Sequence, residues 1–373
     1  MSSRRTLWFI VLMVVIAGGL LVYRGREKTA PALPAGNPLR IAAPLGLPPV
    51  PAPAGNPPTA ATIALGRKLY YDPILSVDNS VSCASCHHPD AGFADGKPLS
   101  DGVRGKKGTR NSPTVLNAAY FHTLFWDGRA ADLEQQAAGP VENPVEMAHS
   151  LQDVENKLMR YPGYRAAFAK AFGPGHITFD MVAKAIASFE RTLVSGDSPF
   201  DRYYYGHDQS ALSDSAKRGL DVFMSPEKGN CAACHLIGKE YALFTDDKFH
   251  NIGVGVKDEK PTDLGRYLVT KNDADRGAFR TPSLRNVALT APYMHDGSLK
   301  TLKEVVDFYI GGGNSNPYLD KRVKPLDFLS GQERADLVSF LESLTGDTPA
   351  NSGPVQQEAA GVGRQPRASH ENP

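Results

Sequence analysis

Residues 83–87 read Cys83-Ala-Ser-Cys86-His87 and residues 231–235 read Cys231-Ala-Ala-Cys234-His235, and these two stretches contain all four cysteines of the 373-residue chain. Both match C-x-x-C-H, the pattern of covalent haem c attachment. Two thiols three positions apart can each form a thioether with a haem vinyl group, and the next residue is then placed under the iron as its proximal ligand. A thioredoxin-like redox pair, or one zinc site built from the four thiols, are the plainer readings. Neither accounts for a histidine directly after each pair. His87 and His235 lie 148 positions apart, which predicts one haem in each of two domains.

Around the motifs, apolar residues recur at spacings of three and four over 63–69, 151–159, 164–172, 181–194, 214–224, 301–310 and 331–344, and no long alternating strand is present. Ser213 and Ser330 are predicted N-caps, and Gly311, Gly312 and Gly313 a helix stop. The expected fold is mainly α: two cytochrome-c-like haem domains in tandem, over 59–205 and 206–346. Residues 7–23 carry no charge and are flanked by arginines. A secretory core usually has about 7–15 apolar residues, whereas a spanning helix needs roughly 17–25. Residues 1–28 are therefore expected to be an inner-membrane anchor with the remainder facing the periplasm, or a signal peptide whose removal leaves a soluble periplasmic protein. The Pro/Ala-rich stretch 29–58 reads as an extended tether, and 347–373 as a disordered tail. Lys plus Arg (41) and Asp plus Glu (40) nearly cancel, so nothing favours nucleic-acid binding.

The segments Arg110-Asn-Ser-Pro-Thr114, Phe125-Trp-Asp-Gly-Arg129, Gly139-Pro-Val141 with Glu146-Met147, Thr281-Pro-Ser-Leu-Arg285-Asn286 and Leu289-Thr-Ala-Pro-Tyr-Met-His-Asp-Gly297 follow in order with the two haem motifs. Over about residues 65–346 the chain resembles the bacterial di-haem cytochrome c peroxidases and the related MauG-type enzymes. The resemblance implies that hydrogen peroxide reacts at the N-terminal haem, with Glu146 as distal acid and base and Trp126 between the haems as electron relay. It implies a calcium ion held by Asn111 and the carbonyls of Thr290 and Pro292, oxygen donors that suit calcium. It places Gln136 and His295 near the first and second haem.

The classical peroxidases of that family carry a blocking histidine in the loop after the first motif, and a departure from it resembles the MauG type. The corresponding position here is Val103, and residues 92–108 hold no histidine, so the first iron is expected to be open. Met224, His250, Met294, His295 and Tyr309 are candidates for the sixth ligand of the second iron; counting from Pro292 selects Tyr309, where the MauG type also has tyrosine. The implied function is peroxide reduction with electrons from a small periplasmic cytochrome c or copper protein, or MauG-like oxidation of a partner protein. The alternatives are a non-catalytic di-haem electron carrier and a peroxide sensor.

Overall fold

Each half of the chain is built on one crossed pair of helices. The structure is a computed structural model that describes residues 32–347, 349 and 352–354. In the first lobe, α1 (Ala60–Tyr71) starts at a Thr59/Thr62 capping box and is followed by α2 (Leu133–Glu142), α3 (Leu151–Met159), α4 (Pro162–Phe172) and α5 (Phe179–Glu190). Helix α1 crosses α5 at Gly66, where a Cβ would strike the Ala185 carbonyl. In the second lobe, α6 (Pro199–Tyr204) and α7 (Asp214–Met224) precede α8 (Tyr267–Thr270), α9 (Leu302–Ile310) and α10 (Gly331–Glu342). Here α7 crosses α10 at Gly219, where a Cβ would meet the Asp336 carbonyl. Each crossing leaves its haem motif as a short 3₁₀ turn, Cys83–Ser85 and Cys231–Ala233, at the edge of an apolar core.

The predicted caps at Ser213 and Ser330 are present, the latter as a capping box with Glu333, and α9 stops at Gly311. Among the described residues the strands are four two-residue pieces: β1 (Phe249–His250) with β4 (Phe279–Arg280), and β2 (Val256–Lys257) with β3 (Lys260–Pro261), both pairs antiparallel. Helix α5 ends at Glu190, four residues before the predicted end. Helix α2 escaped the periodicity reading because it contains Pro140, which lacks the amide hydrogen of an interior helical residue.

Three boundaries differ from the sequence reading. Phe200, 0% exposed, packs in the second core with Phe223, Phe244 and Phe340, so the chain enters the second lobe at α6 rather than at residue 206. The described residues from Pro34 onward form one compact unit. The stretch 32–58 is no free tether. Asn56 donates to Glu134 at 2.6 Å and to the Lys184 carbonyl at 3.0 Å, Tyr120 donates to the Pro48 carbonyl, and the Gly46 carbonyl receives the Ala242 amide and the Arg285 guanidinium. Its prolines hold it extended, which lets its carbonyls accept bonds along both lobes. In the expected tail, the Ser352 and Gly353 carbonyls accept from Tyr71 and Arg67 on α1. No helix among the described residues is long and apolar enough to cross a membrane. Residues 7–23, on which the anchor or signal reading rests, lie outside the described residues, as do 355–373.

Candidate active site

The two haem-motif histidines are prepared in the same way. Phe93 and Phe244 both adopt left-handed backbone angles (φ 58° and 51°), which bulky residues rarely do. This turns their carbonyls to His87 Nδ1 at 3.2 Å and His235 Nδ1 at 2.8 Å. A carbonyl only accepts, so each Nδ1 carries the hydrogen and each Nε2 keeps its lone pair for a metal. Burial holds both imidazoles below their usual pKa. None of the four cysteines is paired in a disulfide.

A cavity of about 640 Å³ opens over the first motif, lined by Cys83, Cys86, His87, Trp126, Gln136 and Glu146, within the range of cofactor pockets. Arg280 also lines it from β4. Its Nε and Nη1 are buried and make no hydrogen bond, with Asp247 3.5 Å away. Buried guanidinium donors without acceptors suit the carboxylate arms of a haem. Cavity, thiols, lone pair and idle donors together fit haem c.

Glu146 sits in this wall just beyond α2. Asn143 Nδ2 donates to its Oε1 at 2.6 Å. Burial raises its pKa above the ordinary carboxylate value, against the opposing pull of Asn143 and Arg129. The loop at 92–108 passes beneath it: Val103, 1% exposed and packed in the first core, donates its amide to the Glu146 carbonyl at 2.8 Å. An aliphatic side chain with no metal-binding atom thus occupies this place.

Trp126 stands between the lobes. Its indole donates to the Asn111 carbonyl at 2.8 Å, and its own carbonyl accepts the Arg280 amide of β4 at 2.8 Å. Beside it, Arg110 bridges the lobes with two bonds to Asp263, at 2.7 and 2.9 Å, and one to Asp127 at 2.7 Å. Asn111 Nδ2 donates to the Lys97 carbonyl, and its amide donates to the His295 carbonyl at 2.7 Å. That second bond ties Asn111 to the segment that carries Thr290 and Pro292. Oδ1 of Asn111 receives no hydrogen bond from a described residue.

In the second lobe, Tyr309 projects from α9. Its phenol is pushed upward by burial first, then by neighbouring Cys231 and Cys234. The rival ligand candidates are placed otherwise. Met224 is 39% exposed. His250 directs Nε2 to Asp246 at 2.9 Å and Nδ1 to Asp320 at 2.7 Å, leaving no ring nitrogen for iron. His295 lies flat on Phe279, centroids 3.6 Å apart. The Asp246–His250–Asp320 group escaped the sequence reading: Asp246 and His250 are four apart, but Asp320 is 70 positions further on. Glu190 escaped it too. It is 5% exposed, its Oε2 has no partner, and it lines the first cavity from α5.

The profile of the family described as di-haem cytochrome c peroxidase matches residues 60–209, and that of cytochrome c matches 216–345. The methylamine utilization protein MauG of Methylophilus methylotrophus is 40% identical over 311 residues, covering 83% of this chain and 90% of that protein. The cytochrome c551 peroxidase of Pseudomonas aeruginosa is 42% identical over 307 residues, covering 81% and 83%. Among solved structures, a MauG-like protein associated with microbial copper homeostasis superposes with a TM-score of 0.73 at 35% identity, covering 82% of this chain and 95% of that one. The di-haem peroxidase BthA of Burkholderia thailandensis gives 0.67 at 27% identity, covering 87% and 98%.

Proposed function

Because this chain belongs to the di-haem cytochrome c peroxidase family, and so is a haem c oxidoreductase of the peroxidase or MauG-like kind, we propose that its first lobe takes hydrogen peroxide against an open haem face with Glu146 as the proton-moving group. The observation that carries the reading is the pairing of a half-buried, raised-pKa carboxyl with a histidine-free loop whose Val103 amide bonds to the backbone carbonyl of the same residue, Glu146. Bound at Cys83/Cys86 and Cys231/Cys234, the two haems supply one-electron iron chemistry and storage for two oxidising equivalents.

The chain's own residues do the rest. His87 Nε2 and His235 Nε2 present lone pairs fixed by the Phe93 and Phe244 carbonyls. Asn143 orients Glu146, whose partly suppressed ionisation lets it both accept a proton from one peroxide oxygen and deliver it to the other. Val103 and the surrounding core exclude water and any competing ligand. Trp126, held by both lobes, relays electrons between them. Tyr309, beside the second cysteine pair, would hold the iron of the second haem through its phenol oxygen, and a phenolate there would favour the more oxidised iron. Reduction of one peroxide to two waters consumes two electrons and two protons, and a small periplasmic cytochrome c or copper protein is the donor. Val103 and Tyr309 favour, as a second reading, MauG-like withdrawal of electrons from residues of a partner protein.

Asn111 Oδ1, left without a donor, together with the Thr290 and Pro292 carbonyls, forms the calcium site in this proposal. Residues 7–23 supply the export signal or inner-membrane anchor.

The deciding experiment adds hydrogen peroxide to the full-length, fully ferric holoprotein and follows its absorption. A rapid spectral change without reductant is the expected result. Reactivity that begins only after one haem is reduced would sink the open-site reading.

A further inference from the structure

The first lobe contains an aromatic run that none of the chemistry above uses. Tyr70 and Tyr71 close helix α1. Tyr70 is 0% exposed, and its hydroxyl donates to the backbone carbonyl of His87 at 3.1 Å. Its ring meets that of Tyr71 edge-on, with centroids 5.2 Å apart, and Phe189 packs on both at 5.2 and 6.3 Å. Tyr71 is half-buried, and its hydroxyl donates to the Ser352 carbonyl. Two phenols in ring contact therefore run from the backbone of the proximal histidine to the protein surface.

A phenol gives up an electron far more readily than the phenyl ring of phenylalanine, and edge-to-face contact keeps the through-space step between the two rings short. Tyr70 is sealed from water and bonded to a carbonyl that cannot hold a proton. Tyr71 is half-buried and meets solvent.

We propose that Tyr70 and Tyr71 form a one-electron exit from the peroxide-reacting lobe to the surface, at which oxidising equivalents are discharged when no electron donor is present. The inference rests on the assignment of peroxide chemistry to the first lobe. Hydrogen peroxide is the oxidant. Tyr71 loses one electron, which passes through Tyr70 and cancels one of the two oxidising equivalents that peroxide leaves in the protein. Its phenolic proton, held toward the Ser352 carbonyl, leaves to solvent as that bond opens. Tyr71 is left as a neutral radical, which either takes an electron from a phenolic or thiol reductant at the surface or couples with a second radical.

The test uses full-length holoprotein, hydrogen peroxide and no donor, with rapid-freeze electron paramagnetic resonance followed by peptide mass spectrometry. The expected result is a tyrosyl signal, narrowed in protein grown on ring-deuterated tyrosine, and oxidative modification at Tyr71. Tyr71→Phe is expected to lose both, and Tyr70→Phe to lose the Tyr71 modification, with haem absorption and donor-supported peroxide consumption retained. Wild-type protein that consumes peroxide with no tyrosyl signal would overturn the exit alone, as would Tyr71 modification undiminished in Tyr70→Phe. Protein that consumes no peroxide in any reduction state would overturn the first-lobe assignment and the exit with it.

Discussion

Glu146 and Glu190 both line the first cavity, and their surroundings give them different work. Glu146 keeps a hydrogen-bond partner in Asn143 and feels Arg129, so its ionisation is hindered but not prevented. Positioned acid–base groups typically contribute about 10²–10⁴-fold to a rate. Glu146→Gln is therefore expected to lower peroxide-driven donor oxidation by about that range while leaving both haem absorption spectra in place; turnover at the wild-type rate would remove Glu146 from the mechanism. Glu190 has no partner for Oε2, and burial, opposed by Arg191 and assisted by Glu134, pushes its pKa from 4.5 to about 8. Between those two values the folded state holds a proton that the unfolded state has released, so stability falls as pH rises through the window. Every tenfold difference in proton affinity between the two states is worth about 1.4 kcal/mol. Thermal midpoints measured from about pH 5 to pH 8 should decline in the wild type. The decline should flatten in Glu190→Gln; equal slopes in the two proteins would mean that Glu190 ionises freely.

At the scale of elements, the lobes repeat one device: a glycine lets two helices touch backbone to backbone. At Gly66 the obstacle to a Cβ is the Ala185 carbonyl, with Phe189 Cβ 3.0 Å away, and at Gly219 it is the Asp336 carbonyl, with Phe340 Cβ 2.8 Å away. A carbonyl inside a helix cannot swing aside as a side chain can. Gly66→Ala is accordingly expected to lose about 1–3 kcal/mol through overpacking, despite alanine's better helix propensity, as read by the urea midpoint of the holoprotein. An unchanged or raised midpoint would show that the helices separate without cost. This contact explains why some of the fold was legible in the sequence and some was not. The helix periods, the caps at Ser213 and Ser330 and the stop at Gly311 are local signals, written within a few residues of where they act. The haem motifs are local too, which is why Cys83 to His87 and Cys231 to His235 announced the cofactor. Gly66 gives no local sign of Ala185, its partner 119 positions away. Neither does Asp320, whose bond to His250 closes only on folding, nor Glu190, whose idle oxygen has meaning only inside a finished cavity. Glu146 and Tyr309 are singled out only by family resemblance, because a lone carboxylate or a helix-borne tyrosine is ordinarily unremarked surface or core.

For the molecule as a whole, the unexpected member is the stretch 32–58, which composition marks as a spacer and contacts make a strap. Its first-lobe holds include Asn56, on Glu134 and the Lys184 carbonyl, and the Pro48 carbonyl, which accepts from Tyr120. Its second-lobe hold is Arg285, 2% exposed, which bonds the Gly46 carbonyl while pairing with Asp201 at 2.8 and 2.9 Å and donating to the Ala242 carbonyl at 2.6 Å. One guanidinium thus joins strap, α6 and the loop that leads to Phe244, whose carbonyl fixes His235. Replacing Arg285 with methionine keeps the length and apolar stem but strands the Asp201 carboxylate, 0% exposed, with only Ser198 as donor. Breaking a buried pair from one side costs about 3–5 kcal/mol. Two consequences should appear together in Arg285→Met: an unfolding midpoint lowered by that amount, and new cleavage within 32–58 under limited proteolysis, because a strap freed at Gly46 exposes its backbone. Loss of stability with the strap still protected would show that Arg285 serves Asp201 alone, and that the remaining bonds of the strap suffice to hold it across the two lobes.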